Sequence, residues 1–193
     1  MLKCFHAEWR GFSIPPPYAV SSKETKAELK QIEAFHKSLT TPQILRIRHE
    51  DETSTTGLFV EVLNQYGFRV TKPTVQKCER LEEELVRIAK HYKEHFKRAR
   101  PQFSFVKHQR KRVFPPSVSA DGYAYPSTRS LVGSVLAMYL STKFPRATPT
   151  LEEYGKQIGW NRVRAGWNHA SDYAMGRVLA EHLWKHFDEK GLS

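Results

Sequence analysis

The chain is poor in cysteine. Cys4 and Cys78 are the only two in 193 residues, which gives neither a disulfide framework nor the paired spacing of a zinc site. No apolar run approaches the length that crosses a bilayer, and the opening stretch MLKCFHAEWRGF lacks the hydrophobic segment of a secretion signal. Strand signals are nearly absent, no internal repeat occurs, and no acidic residue stands between Glu94 and Asp121. These absences predict a reduced, cytoplasmic, all-α protein, a single-domain helical bundle over residues 1–193 with no membrane partner. The pairs His91/His95 and His182/His186 have one-turn spacing but no third candidate ligand, so neither a metal nor another cofactor is expected.

What is present is positive charge and apolar helical periodicity. The net charge is +11 and the pI about 9.7, and the acid-free stretch holds Lys97, Arg98, Arg100, Lys107, Arg110, Lys111 and Arg112. Such a cluster suits a polyanion or a strongly anionic substrate, with a solvated basic face as the plain alternative. Lys107, Arg110, Lys111 and Arg112, with Phe103 and Phe105 nearby and Arg164 further on, are the candidate nucleic-acid contacts.

Residues 1–21 read as an extended, proline-fixed arm. Behind a Ser22 cap, Leu29, Ile32, Phe35 and Leu39 share one helical face. Two short helices follow in TPQILRIRH and TGLFVEVLNQYG, with the polar EDETSTT between them reading as a loop. Val75, Cys78, Leu81, Leu85, Ile88, Tyr92 and Phe96 keep helical spacing in a long helix running to Pro101. A basic connection over 102–125 comes next, longer than compact domains usually carry without a use. Three more helices are predicted: Ser127 to about Lys143, Thr148 or Pro149 to about Asn161, and NHASDYAMGRVLAEHLWKHF.

Charge placement within these helices is the functional signal. Lys93 and Arg100 are seven residues apart, nearly two turns, so on one continuous helix they project from the same face. Arg129 sits in the first turn of the helix that Ser127 caps, where the helix already carries partial positive charge, so a cation there requires something negative beside it. Arg162 lies near the end of another helix, and Asp172 follows Asn168 by one turn. Several cations converging on a helix N-terminus make a place for a phosphate-like anion.

These residues resemble the class A bacterial non-specific acid phosphatases of the type 2 phosphatidic acid phosphatase (PAP2) and vanadium haloperoxidase superfamily. That family's signature is K-x6-RP, then PSGH, then SR-x5-H-x3-D. KEHFKRARP matches the first motif in full, YPSTRS stands where YPSGH would, and NRVRAGWNHASD stands where the third would. IPPPYAV is similar to the proline run near the family's mature N-terminus, and the likeness spans roughly Ile14 to the last helix. The resemblance implies an all-α PAP2-type bundle, with 102–125 as an active-site loop and a homodimer or larger assembly as the family habit. It also implies that Lys93, Arg100 and Arg162 hold phosphoryl oxygens, with Ser127, Thr128 and Arg129 at the second motif.

Two positions depart from the family. Its general acid, the histidine of PSGH, aligns with Arg129, and a permanently charged guanidinium cannot hand a proton to a leaving alkoxide. Its nucleophile aligns with Asn168, while His169 lies one residue on and reaches the same place only by a register shift of about 100°. Whether Asn168 or His169 faces the pocket stays open, with Asp172 near enough to orient either one. Three functions fit. In the first the enzyme acts on a phosphorylated substrate, a nucleic acid or nucleotide by charge, as a transferase or lyase with phosphate as leaving group. The second is an inactive phosphate-binding module, and the third a phosphomonoesterase using His169.

Overall fold

The computed structural model describes residue 9 and residues 11–103, 117–119 and 122–188. Lys107, Arg110, Lys111 and Arg112 lie outside the described residues, as do parts of the 1–21 arm and of the 102–125 loop. The elements are α1 (Lys23–Ser38), α2 (Thr41–Glu52), α3 (Thr55–Gln65), α4 (Lys72–Phe96), α5 (Thr128–Lys143), a 3-10 turn (Pro145–Ala147), α6 (Thr148–Arg164) and α7 (Ala170–Trp184). The fold is all-α.

Serine caps start three of these helices. The hydroxyls of Ser22, Ser54 and Ser127 accept from Thr25 N, Gly57 N and Ser130 N, satisfying amides that a helix start leaves open. In α4 the residues Cys78, Leu81, Leu85, Ile88, Ala89 and Tyr92 are buried on one face, and this stripe packs on α5. Helix α5 buries Leu131, Val132, Val135, Leu136, Tyr139 and Leu140, so it has apolar contacts all round and forms the centre of the bundle against α3, α4, α6 and α7. On α1, Ile32 packs with Val163 of α6, while Leu39 joins a neighbouring cluster with Ile47 and Trp167.

Small residues let α5 come close to its neighbours. A Cβ added at Gly155 would stand 2.7 Å from the Gly133 carbonyl, and one at Gly176 would stand 2.6 Å from the Ser127 carbonyl. Both contacts are with backbone carbonyls, which cannot yield locally. Gly176→Val is therefore expected to lower unfolding stability by about 1–3 kcal/mol, read by urea denaturation, whereas a change at exposed Lys26 should leave it within about 0.5 kcal/mol.

Two boundaries differ from the sequence expectation. The polar stretch EDETSTT is not a loop: α2 continues through Glu52 and α3 begins at Thr55. Glu50 and Asp51 find buried partners on α6, Asn161 and Arg162, and those tertiary contacts outweigh local polarity. The long helix does not reach Pro101 either. It ends at Phe96, and Lys97 caps it in the left-handed region with φ 51°. Arg100 thus approaches Lys93 by this reversal of the chain, not by helical periodicity.

Candidate functional site

A cavity of about 620 Å³ opens between the C-terminal end of α2, the middle and end of α4 and the start of α5. Lys93, Arg100, Thr128, Arg129, Arg162 and Asn168 all line it. The cations are held individually. Lys93 Nζ donates to the carbonyls of Tyr123 (2.7 Å) and Ala124 (3.2 Å). Arg100 donates from Nε to Gly122 O, from one terminal nitrogen to Trp167 O (2.8 Å) and from the other to Tyr123 O. The chain ahead of α5 and the turn after α6 therefore both fold back onto the two cations of the first motif.

Arg129 finds its negative neighbour in the end of another helix. Its guanidinium donates to Thr53 O (2.8 Å), to Asp51 O (3.4 Å) and to the Thr55 hydroxyl (3.1 Å). The carbonyls at the close of α2 carry the partial negative charge of a helix C-terminus, so the two helix ends compensate each other through this side chain. Burial pulls the Arg129 pKa down, while Glu82, Asp51 and Glu50 oppose the fall. The Glu82 carboxylate accepts from Thr55 N, Thr56 N and the Thr56 hydroxyl, capping α3 beside the arginine.

Arg162 is buried against the face of Trp167, its guanidinium carbon 4.3 Å from the ring centroid. One terminal nitrogen donates to Asp51 Oδ1 at 2.5 Å and the other to the Ser117 hydroxyl at 2.7 Å. Its Nε–H is buried and meets no hydrogen-bond acceptor among the described residues. Burial lowers the Arg162 pKa to about 10, with Asp51 opposing, so it remains a cation at neutral pH. Burial alone would raise the Asp51 carboxyl, but Arg162 and the hydroxyls of Ser117 and Ser119 bring it down to about 2. Asp51 Oδ1 accepts from Ser117, Ser119 and Arg162, and Oδ2 from Val118 N.

Behind the cavity lies a second charged cluster. Arg98, turned inward by the reversal at Lys97, bridges Glu28 of α1 (2.9 Å) and Asp172 of α7 (2.6 Å). Asp172 is fully buried, and its Oδ2 accepts from His169 N (2.7 Å), His169 Nδ1 (3.3 Å) and Asn168 Nδ2 (3.3 Å). Burial would raise this carboxyl, but the hydrogen bonds and charge of His169, together with Arg98, hold it down to about 2.

Of the residues singled out by sequence, Lys93, Arg100, Thr128, Arg129, Arg162 and Asn168 come together, and Ser127, His169, Asp172 and Arg164 do not line the cavity. Ser127 is sealed beneath the start of α5, its Oγ accepting from Ser130 N and Ser130 Oγ. His169 is the N-cap of α7, buried, with its ring turned to Asp172. The loop ahead of α7 keeps Asn168 in the pocket and makes no register shift. Arg164 is half-buried and donates to Asn161 Oδ1. Sequence reasoning missed Asp51, Glu28 and Glu82 and saw Arg98 only as surplus charge. Nothing local marks them, because each acts through a partner distant in sequence.

No protein-family model matches the chain, and no curated protein matches it in sequence. A search of solved structures does find relatives in fold. One is a transmembrane PAP2-type phosphatidylglycerolphosphate phosphatase from Bacillus subtilis, with a TM-score of 0.52 at 17% identity over 86% of this chain and 87% of that one. The chain has a PAP2-type fold. Its all-α architecture is the one that the three ordered motifs implied. The same similarity overturns the expectation of a cytoplasmic protein, since a transmembrane enzyme shares this fold and a lack of apolar runs does not fix a compartment. Among the described residues no helix is long and apolar enough to cross a membrane.

Proposed function

We propose that the cavity binds the phosphoryl group of a phosphorylated substrate, and that this PAP2-like protein uses phosphate as a leaving group in a transfer or elimination at carbon. The observation that carries this reading is Asn168. It lines the cavity where the resembling phosphatases place their nucleophilic histidine, and among the described residues no histidine or cysteine lines the cavity at all. An amide cannot form a phosphoenzyme. The convergence of Lys93, Arg100, Arg129 and Arg162 on one cavity supports an anion ligand.

Arg129 fits the same chemistry. When a P–O bond breaks, an alkoxide departs and needs a proton, which a guanidinium cannot supply. When a C–O bond breaks, its electron pair leaves with the phosphate oxygen, and the carbon takes the incoming nucleophile or loses a neighbouring proton to form an alkene. The departing anion then needs cations, not an acid, and Lys93, Arg129 and Arg162 surround the cavity. The +11 charge favours a nucleic acid or nucleotide as substrate.

Two assays test the proposal. With p-nitrophenyl phosphate, whose aryl C–O bond resists cleavage, the protein should show no turnover. With phosphorylated DNA or nucleotides carrying heavy oxygen at the bridging position and a range of nucleophiles, mass spectrometry should find the label in released phosphate. Robust aryl phosphate hydrolysis, abolished by His169→Ala, would overturn the proposal in favour of a histidine-dependent phosphatase. Phosphate binding without release from any substrate would leave a binding module.

A further inference from the structure

Several polar groups around the cavity are already committed. Both Asp51 carboxylate oxygens accept hydrogen bonds, Glu82 is spent on the start of α3, and the Tyr123 and Ala124 carbonyls serve Lys93 and Arg100. Asn168 is different. Its Nδ2 donates to Ala124 O at 2.8 Å and to Asp172 Oδ2 at 3.3 Å. Both partners are pure acceptors, the second an ionised carboxylate, so the amide can be placed only with nitrogen toward them and oxygen away. Oδ1 accepts from no described residue, and it is not among the sealed polar atoms, so it opens on the cavity that the residue lines.

The amide cannot rotate to exchange its ends. It is buried, 3% exposed, and its nitrogen shares the Ala124 carbonyl with Lys93 Nζ, which sets it beside a cation of the anion site. What is presented there is a fixed, uncharged hydrogen-bond acceptor. A fully ionised oxyanion offers it only lone pairs, which repel. An oxyanion that retains a proton offers an O–H, which it can accept.

Resting on the reading of the cavity as a phosphate site, we infer that Asn168 is a specificity-determining residue that selects protonated phosphoryl groups, inorganic phosphate or a phosphomonoester monoanion, over fully ionised tetrahedral anions. Inorganic phosphate near neutrality always keeps at least one P–OH, whereas sulfate keeps none. The two anions are close in size and geometry, so the cations alone separate them weakly. A hydrogen bond between a neutral acceptor and a charged donor group, gained by one ligand and replaced by repulsion in the other, separates them by about tenfold or more.

The experiment is calorimetric titration of the full chain at neutral pH and fixed ionic strength with inorganic phosphate and, separately, with sulfate. Wild type is expected to bind phosphate at least about tenfold more tightly. Asn168→Leu, similar in volume and without an acceptor, should bring the ratio near one by weakening phosphate, and Arg162→Ala should weaken both anions together. Equal wild-type affinities would overturn the inference and leave the anion site standing, as would an unchanged ratio in Asn168→Leu. Binding of neither anion would instead sink the phosphate-site reading itself. The wild-type ratio needs no variant, so it decides the matter even if the leucine substitution prevents folding.

Discussion

Asn168→His is expected to give a protein that forms a phosphoenzyme when wild type does not. The position already faces the cavity, and Asp172 one helical turn later already accepts a hydrogen bond from the residue there. An imidazole would donate one ring N–H to that carboxylate and turn its other nitrogen toward the phosphoryl group, the orientation that nucleophilic catalysis requires. Alkaline-quench labelling with radiolabelled p-nitrophenyl phosphate should rise by about 100-fold or more over wild type, because this leaving group departs without a proton and a phosphohistidine survives base. With alkyl phosphates the single variant should stay slow. Adding Arg129→His supplies an acid and should raise their hydrolysis by a further ~10²–10⁴-fold. If neither variant is labelled by any phosphate ester, the cavity does not place phosphorus near Asn168.

Asp51→Ala should be among the most destabilising single changes in the molecule. It leaves the buried Arg162 guanidinium without its carboxylate and removes the acceptor that Ser117, Val118 and Ser119 share. Breaking one half of a buried ion pair costs about 3–5 kcal/mol, enough to lower the melting temperature by roughly 10 °C in a chain of this size. Acid titration gives an independent reading. Asp51 and Asp172 are both held down to about 2 in the folded protein, so each adds stability that is complete above its unfolded pKa and vanishes as the pH falls through the folded value. Wild type should therefore weaken steeply between about pH 4 and pH 2, each group contributing roughly 2 kcal/mol at neutrality. Asp51→Ala should show a shallower acid limb. Equal melting temperatures for the two proteins would mean that the pair adds nothing net.

The helices were legible wherever apolar residues kept a 3.6 period or a serine stood before them. Ser22, Ser127 and the Cys78–Tyr92 face of α4 are cases in point. The site was legible as far as its residues belong to ordered motifs, which brought Lys93, Arg100, Arg129, Arg162 and Asn168 into one cavity. Asp51 was hidden because its partner lies 111 residues away and its neighbours are polar, so local composition suggested a loop. The end of α4 was hidden because the left-handed position falls on a lysine, where glycine is the usual signal. The choice between Asn168 and His169 needed three dimensions. It depends on which of two adjacent residues caps α7, and the backbone N–H of His169 settles that by bonding to Asp172.

The link from Glu28 through Arg98 to Asp172 joins the first helix to the last across the back of the cavity. Helices near chain ends ordinarily fray and exchange their amide hydrogens ahead of the interior. Here the amides of α1 cannot open alone without taking Glu28 from the buried Arg98 guanidinium, which would keep only Asp172. Protection in α1 should thus approach that of central α5, so that α1 and α7 melt together with the pocket as one cooperative unit.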